Sequence, residues 1–225
     1  MDIDSRTKLL LQEDFFKLNN NKIVVIGVGG VGSIIPISLV RTGIKKITII
    51  DKDKVDPSNL NRQIAYNIND IGKLKVDALY SHLYEMQDDI KITKIPAKID
   101  VNFDFSVFDE ADYIIDCIDD IEAKVLIAKE SFKRNIPLIS SLGMGNRVDP
   151  SKVIITKLNK TTNDPLAKKF RYLLRKENID LSKIDVAFSS ETPIIKDKII
   201  SSVVFVPNSA GLNIASFVIR RIIGW

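Results

Sequence analysis

The 225-residue chain has a single cysteine, Cys117, and a single histidine, His82. One cysteine excludes an internal disulfide, and the two together exclude a zinc site built from Cys and His ligands alone. No zinc is expected, and any metal should be held by oxygens. Long apolar runs are also missing: none reaches the roughly 20 residues that a bilayer crossing needs, so no stable membrane association is expected. The first residues, Met1-Asp-Ile-Asp-Ser-Arg6, carry two acids and no apolar signal core, which makes the cytoplasm the expected location. The excess of one charge sign is small, at a formal +4, but it is not spread evenly. Lys157 to Lys176 holds seven basic residues against one acid, Asp164, which points to a polyanionic partner near that stretch.

What is present is a regular alternation of strand and helix signals. Lys22-Ile-Val-Val-Ile26 is a short β-branched run that stops at glycine, as a buried parallel strand should. Val31 to Thr42 turns helical, Gly43 is placed to end that helix, and Ile47 to Ile50 forms a second strand closing on Asp51. A helix is predicted over 72–87, strands over 90–95 and 113–118, a helix over 123–134 and a strand over 137–141. The alternation predicts an α/β, Rossmann-like fold with a doubly wound, mostly parallel sheet. Beyond residue 150 the order changes: a strand at 153–157, a helix from Pro165 behind an Asp164 cap to about Glu177, antiparallel strands expected at 185–188 and 199–206, and a last helix over 209–223. One domain is expected, with 1–150 as a nucleotide-binding core and 151–225 as an extension carrying the basic helix.

Gly27-Val-Gly-Gly-Val-Gly32 sits between the first strand and its helix, where Gly27, Gly29, Gly30 and Gly32 allow a tight turn and a close approach of backbone N–H groups to a phosphate. Asp51 ends the next strand, where a carboxylate can accept ribose hydroxyls. To this point NAD and ATP are equally well served. The residues that favour ATP come later, in Asp51-Lys-Asp53, in Ser58-Asn-Leu-Asn-Arg-Gln63 and in Gly72-Lys-Leu-Lys75. Attack at an α-phosphorus builds negative charge on departing pyrophosphate, which Arg62, Lys75 and a magnesium ion could offset. A surface arginine and a solvated helix lysine are the plain alternatives. Asp119, after the fourth strand, could hold Mg²⁺ or merely cap the following helix.

Taken together, the glycine loop, Asp51-Lys-Asp53, Ser58 to Gln63, Lys75 and Asp116-Cys-Ile-Asp119 resemble the adenylating superfamily of ubiquitin-activating enzymes and bacterial sulfur-carrier activators. The resemblance implies that Arg62, Lys75 and Asp119 serve ATP phosphates and Mg²⁺ and are the catalytic residues, with Asp51, Asp53, Asn59 and Gln63 completing the ATP site. It also implies a homodimer in which Arg6 reaches into the partner's site. Gly143-Met-Gly-Asn-Arg-Val-Asp-Pro150, Lys160-Thr-Thr-Asn-Asp-Pro-Leu-Ala167 and Val186-Ala-Phe-Ser-Ser-Glu191 resemble the tRNA threonylcarbamoyladenosine dehydratase family. That resemblance implies ATP-dependent cyclisation of a threonylcarbamoyl group on a tRNA base through an acyl-adenylate.

An intramolecular cyclisation needs no cysteine relay, which suits a chain whose Cys117 lies in an apolar run and reads as a buried thiol. It also gives the basic helix a use, with Lys168, Lys169, Arg175 and Lys176 placed to meet tRNA phosphates; a merely solvated face is the alternative. Activation of a sulfur-carrier protein's C-terminal carboxylate is the rival enzymatic reading, and a non-catalytic nucleotide-binding scaffold is the rival from another class. Ser189-Ser190-Glu191 could join the substrate site or cap a connection, and His82 receives no role.

Overall fold

A computed structural model describes residues 3–195 and 200–225. Strands β1 (Lys22–Ile26), β2 (Lys46–Ile50), β3 (Lys91–Ile95), β4 (Tyr113–Asp116), β5 (Leu138–Ser141), β6 (Val153–Lys157) and β7 (Asp185–Ser189) form one sheet of order β3-β2-β1-β4-β5-β7-β6. All neighbours are parallel except β6, which runs antiparallel to β7. The helices are α1 (Ser5–Leu11), α2 (Phe15–Leu18), α3 (Ile34–Thr42), α4 (Lys75–Met86), α5 (Ile121–Lys133), α6 (Pro165–Lys176) and α7 (Phe205–Ile223).

Both faces of the sheet are covered, and β1 shows why its sequence is an unbroken apolar run. Ile23 and Val25 enter one core with Leu39 of α3, Leu79 of α4 and Ile214 of α7. Val24 and Ile26 enter the other with Ile127 of α5 and Phe170 of α6. Burying each such side chain stabilises the fold by about 1.5–3 kcal/mol, so β1 belongs at the centre. From β1 the chain steps outward through β2 to β3 and then returns to β4 on the other side. The order therefore reverses between β1 and β4, and the crevice at the carboxyl ends of these two strands is where open α/β sheets bind ligands.

Several predicted boundaries move. Val31 to Ser33 form a turn ahead of α3, and α4 starts at Lys75 because Leu74 is extended, bridging to Lys54, with Gly72 at φ +86°. β4 stops at Asp116, so Cys117 lies just past the strand rather than within it. The strand predicted over 199–206 is absent among the described residues: 200–204 carry no ladder, Ile199 lies outside the described residues, and α7 begins at Phe205 rather than 209. The β-branched run there satisfies its backbone through loop contacts instead. Ser201 N donates to Asn146 Oδ1 (2.7 Å), Asn146 N to Ser201 O (2.7 Å) and Asn61 Nδ2 to Ser202 O (2.9 Å). Unpredicted helices α1 and α2 place Leu11, Phe15 and Leu18 in the core. Among the described residues no helix is long and apolar enough to cross a membrane.

Candidate active site

The glycine loop is shaped by two close approaches. Gly27 has φ +81°, and a Cβ there would lie 2.8 Å from Ile118 Cγ2. A Cβ on Gly32 would lie 1.8 Å from the Gly27 carbonyl oxygen, so no side chain fits where the loop folds back on itself. Asp51 braces the loop, its carboxylate accepting from Val28 N (2.8 Å) and Asp53 N (2.8 Å). The Tyr66 hydroxyl donates to Val28 O (2.8 Å). Burial, with the charges of Asp51 and Asp70, pushes that hydroxyl well above its ordinary pKa, so it stays a donor at neutral pH.

Above the loop lies a cavity of about 780 Å³. Gly27, Gly29, Gly30, Asp51, Asp53, Asn59, Arg62, Gln63, Lys75 and Asp119 all line it. Two sequence-predicted residues stand apart. Gly32 packs behind the lining, close to Gly27 and Cys117, and Arg6 is exposed on α1, away from the cavity of its own chain.

The charged groups divide by what they already hold. Lys75 opens α4 with a buried side chain and pairs with Asp53 (3.2 Å). Burial disfavours the Asp53 carboxylate, but Lys75, as charge and donor, and then Lys52 outweigh it and hold Asp53 below the usual carboxylate range. Arg62 hydrogen-bonds only neutral oxygens, Ser58 O (2.8 Å) and Asn61 Oδ1 (2.9 Å), leaving its charge unmatched among the described residues. Asn59 accepts from Asp56 N (3.2 Å), closing a reciprocal cap that fixes the Arg62 turn. Gln63 is buried with its Oε1 unpartnered among the described residues. Asp119 does not cap α5: that role falls to its neighbour Asp120, which accepts from Glu122 N (3.0 Å) and Ala123 N (3.2 Å). Asp119 is left exposed on the cavity wall with no partner among the described residues. A lone carboxylate is a sparse ligand set, but it suits Mg²⁺, which commonly takes one or two carboxylates with phosphate oxygens and water.

The far half of the cavity comes from the C-terminal third of the chain, and it contains residues that sequence reasoning missed. Arg147 is only 4% exposed; its Nη1 donates to Gly143 O (2.6 Å) and Gly145 O (3.2 Å), and its Nε to Glu191 O (2.9 Å). The Glu191 carboxylate accepts from Val148 N and Asp149 N, so the Ser189-Ser190-Glu191 turn braces this loop without lining the cavity. Asp164 caps α6 through Ala167 N (3.0 Å), as predicted, and also accepts from Gly143 N (3.0 Å). Beneath the crevice, Lys124 Nζ, fully buried, donates to Asp116 Oδ2 (2.9 Å), Ser140 Oγ (3.0 Å) and Ser141 O (2.7 Å), tying β4, β5 and α5 together. The acid Asp116 stood in a motif, but nothing local marked Lys124 as its partner.

Pro165 and Leu166, at the start of α6, line the same cavity. From there Lys168, Lys169, Arg175 and Lys176 are exposed along the helix, while Ala167, Phe170 and Leu174 are buried. Burial, reinforced by the Asp116 charge, pushes the Cys117 thiol far up, so it is a poor nucleophile. His82 sits away from the cavity, paired with Asp70 (2.8 Å).

With this geometry in hand, comparison with known proteins finds the ThiF family profile over residues 5–188. The chain belongs to the ThiF family. It is 38% identical over 193 residues to the tRNA threonylcarbamoyladenosine dehydratase of Bacillus subtilis, spanning 85% of this chain and 76% of that protein. It is 37% identical to tRNA threonylcarbamoyladenosine dehydratase 2 of Saccharomyces cerevisiae, spanning 43% of that longer protein. Crystal structures of the E. coli tRNA N6-threonylcarbamoyladenosine dehydratase with AMP and with ATP match with TM-scores of 0.91 and 0.90 at 28% and 27% identity, over 98% of this chain and 93% of theirs.

Proposed function

We propose that the protein is an ATP-dependent tRNA threonylcarbamoyladenosine dehydratase, acting on the modified adenosine of a tRNA anticodon loop. The observation that carries this reading is the two-ended cavity: a glycine loop with Arg62, Lys75 and Asp119 at one end, and at the other a chamber whose rim continues into the basic face of α6. ATP fits the first end, and the names of the ThiF relatives, including one crystallised with ATP and with AMP, support the reaction. The threonine carboxylate attacks the α-phosphorus, the α–β bridging bond breaks and pyrophosphate leaves. A group of the same side chain then attacks the acyl carbon, gives its proton to solvent and expels AMP.

Arg62 and Lys75 stabilise the charge that gathers on pyrophosphate, and Asp51, Asp53, Asn59 and Gln63 hold the nucleoside and the walls around it. Asp119 would hold Mg²⁺, whose role is to neutralise phosphate charge. The chain works as one domain, with 1–150 as the nucleotide-binding core and 151–225 supplying the substrate end. It acts as a homodimer, since Leu9, Leu10 and Phe16 expose apolar side chains around Arg6 on α1 and α2, and Arg6 completes the neighbouring site. A tRNA substrate supports the cytoplasm as its location.

Incubation with ATP and tRNA bearing threonylcarbamoyladenosine, followed by nucleoside mass measurement, tests the reading. Pyrophosphate exchange that depends on a small carrier protein and not on tRNA would favour the carrier-activating alternative.

A further inference from the structure

Arg147 is a buried charge with no ion pair among the described residues. A guanidinium has five N–H donors, and three are spent on the carbonyls of Gly143, Gly145 and Glu191. The two on Nη2 make no hydrogen bond among the described residues. The acids nearby are already engaged: Asp164 by Gly143 N and Ala167 N, Glu191 by Val148 N and Asp149 N. None lies within ion-pair distance of Arg147 among the described residues. An arginine that is 4% exposed and lines a cavity is costly to leave unmatched, because a buried charge is tolerated only when paired. Among the described residues that anion is missing, and a ligand entering the cavity can bring it.

Two features say which anion. Arg147 stands on the loop after β5, on the opposite side of β4 from the glycine loop, where Arg62, unmatched among the described residues, is the residue proposed to meet phosphate. The lining on this side mixes apolar Met144, Leu166, Pro193 and Ile200 with Asn146 and the already engaged Asp164, and it includes Pro165 and Leu166 at the start of the basic helix α6. We propose that Arg147 is the binding residue for the substrate carboxylate that becomes adenylated. The inference rests on the dehydratase reading and deepens it. Two N–H groups facing one carboxylate form a short charge-assisted contact, and they offset the repulsion between that carboxylate and the triphosphate as the oxygen approaches the α-phosphorus. Once the O–P bond forms and pyrophosphate leaves, the acyl group is neutral and the contact weakens. Arg147 therefore favours entry of the acid without holding the adenylate.

The test compares binding of the free nucleoside N6-threonylcarbamoyladenosine with binding of its carboxamide, each titrated into the full-length protein saturated with a non-hydrolysable ATP analogue. The wild type should prefer the acid by about ten- to a hundredfold, the discrimination expected of a hydrogen bond to a charged group. Arg147→Lys should keep much of that preference, and Arg147→Met should lose it while ATP affinity stays unchanged. Arg147→Gln, which keeps donors for the loop carbonyls but no charge, answers the same question if the Met variant does not fold. A folded Met or Gln variant that retains the wild-type acid-to-amide ratio overturns the assignment even if the wild type cyclises tRNA. A wild type that binds neither nucleoside and leaves tRNA unchanged overturns the dehydratase reading with it.

Discussion

At the scale of single residues, the glycine loop separates a folding requirement from a binding one. A methyl group on Gly32 would strike the Gly27 carbonyl, whereas on Gly30 it would meet nothing closer than 3.6 Å. Gly32→Ala should therefore lower the melting temperature, and Gly30→Ala should leave it unchanged while weakening ATP binding, because the added carbon stands where phosphate approaches. Equal melting temperatures for the two variants would contradict this. Arg62→Ala and Lys75→Ala should each slow AMP formation by about 10²–10³-fold with a smaller loss of ATP affinity, measured by single-turnover assay and titration calorimetry. Parallel losses would mean that both residues bind the ground state only. These residues were legible because their spacing from a strand and a glycine turn is itself the signal. Arg147 and Lys124 were not, since what distinguishes them is burial and partnership with segments tens of residues away, and an isolated arginine or helix lysine in a sequence looks the same whether solvated or enclosed.

At the scale of elements, the parallel core was readable because its strands are buried on both faces and so appear as continuous apolar runs closed by glycine or acid. The same logic misled at 199–206. That run is β-branched, but the sheet ends at β6, and its described residues 200–204 contribute Ile200 and Ser202 to the cavity wall and bond to Asn146 and Asn61 before α7 begins. No local pattern distinguishes an edge that exists from one that does not. Helix α6 was readable through its Asp164 cap and Pro165, and its two faces fit two tasks, packing on α5 and carrying basic side chains outward from the cavity rim. Neutralising Lys168, Lys169, Arg175 and Lys176 together should weaken tRNA binding and reduce the slope of log affinity against log salt by about 3, if each meets one phosphate of a single-stranded loop. An unchanged slope would return the face to solvent.

At the scale of the whole molecule, the proposed homodimer would make the site described one chain's share of a pair. Mixing Arg6→Ala with Lys75→Ala protomers should restore activity, to about a quarter of wild type for random exchange, because one site of each mixed dimer then regains both residues. No recovery would place Arg6 outside the partner's site. The central claim is that the activated carboxylate belongs to a modified tRNA base. Its most direct test is the mass of the nucleoside after incubation of tRNA bearing threonylcarbamoyladenosine with the protein and ATP. The account predicts a nucleoside lighter by one water, formed together with AMP and pyrophosphate; an unchanged nucleoside under conditions where ATP is bound would contradict it.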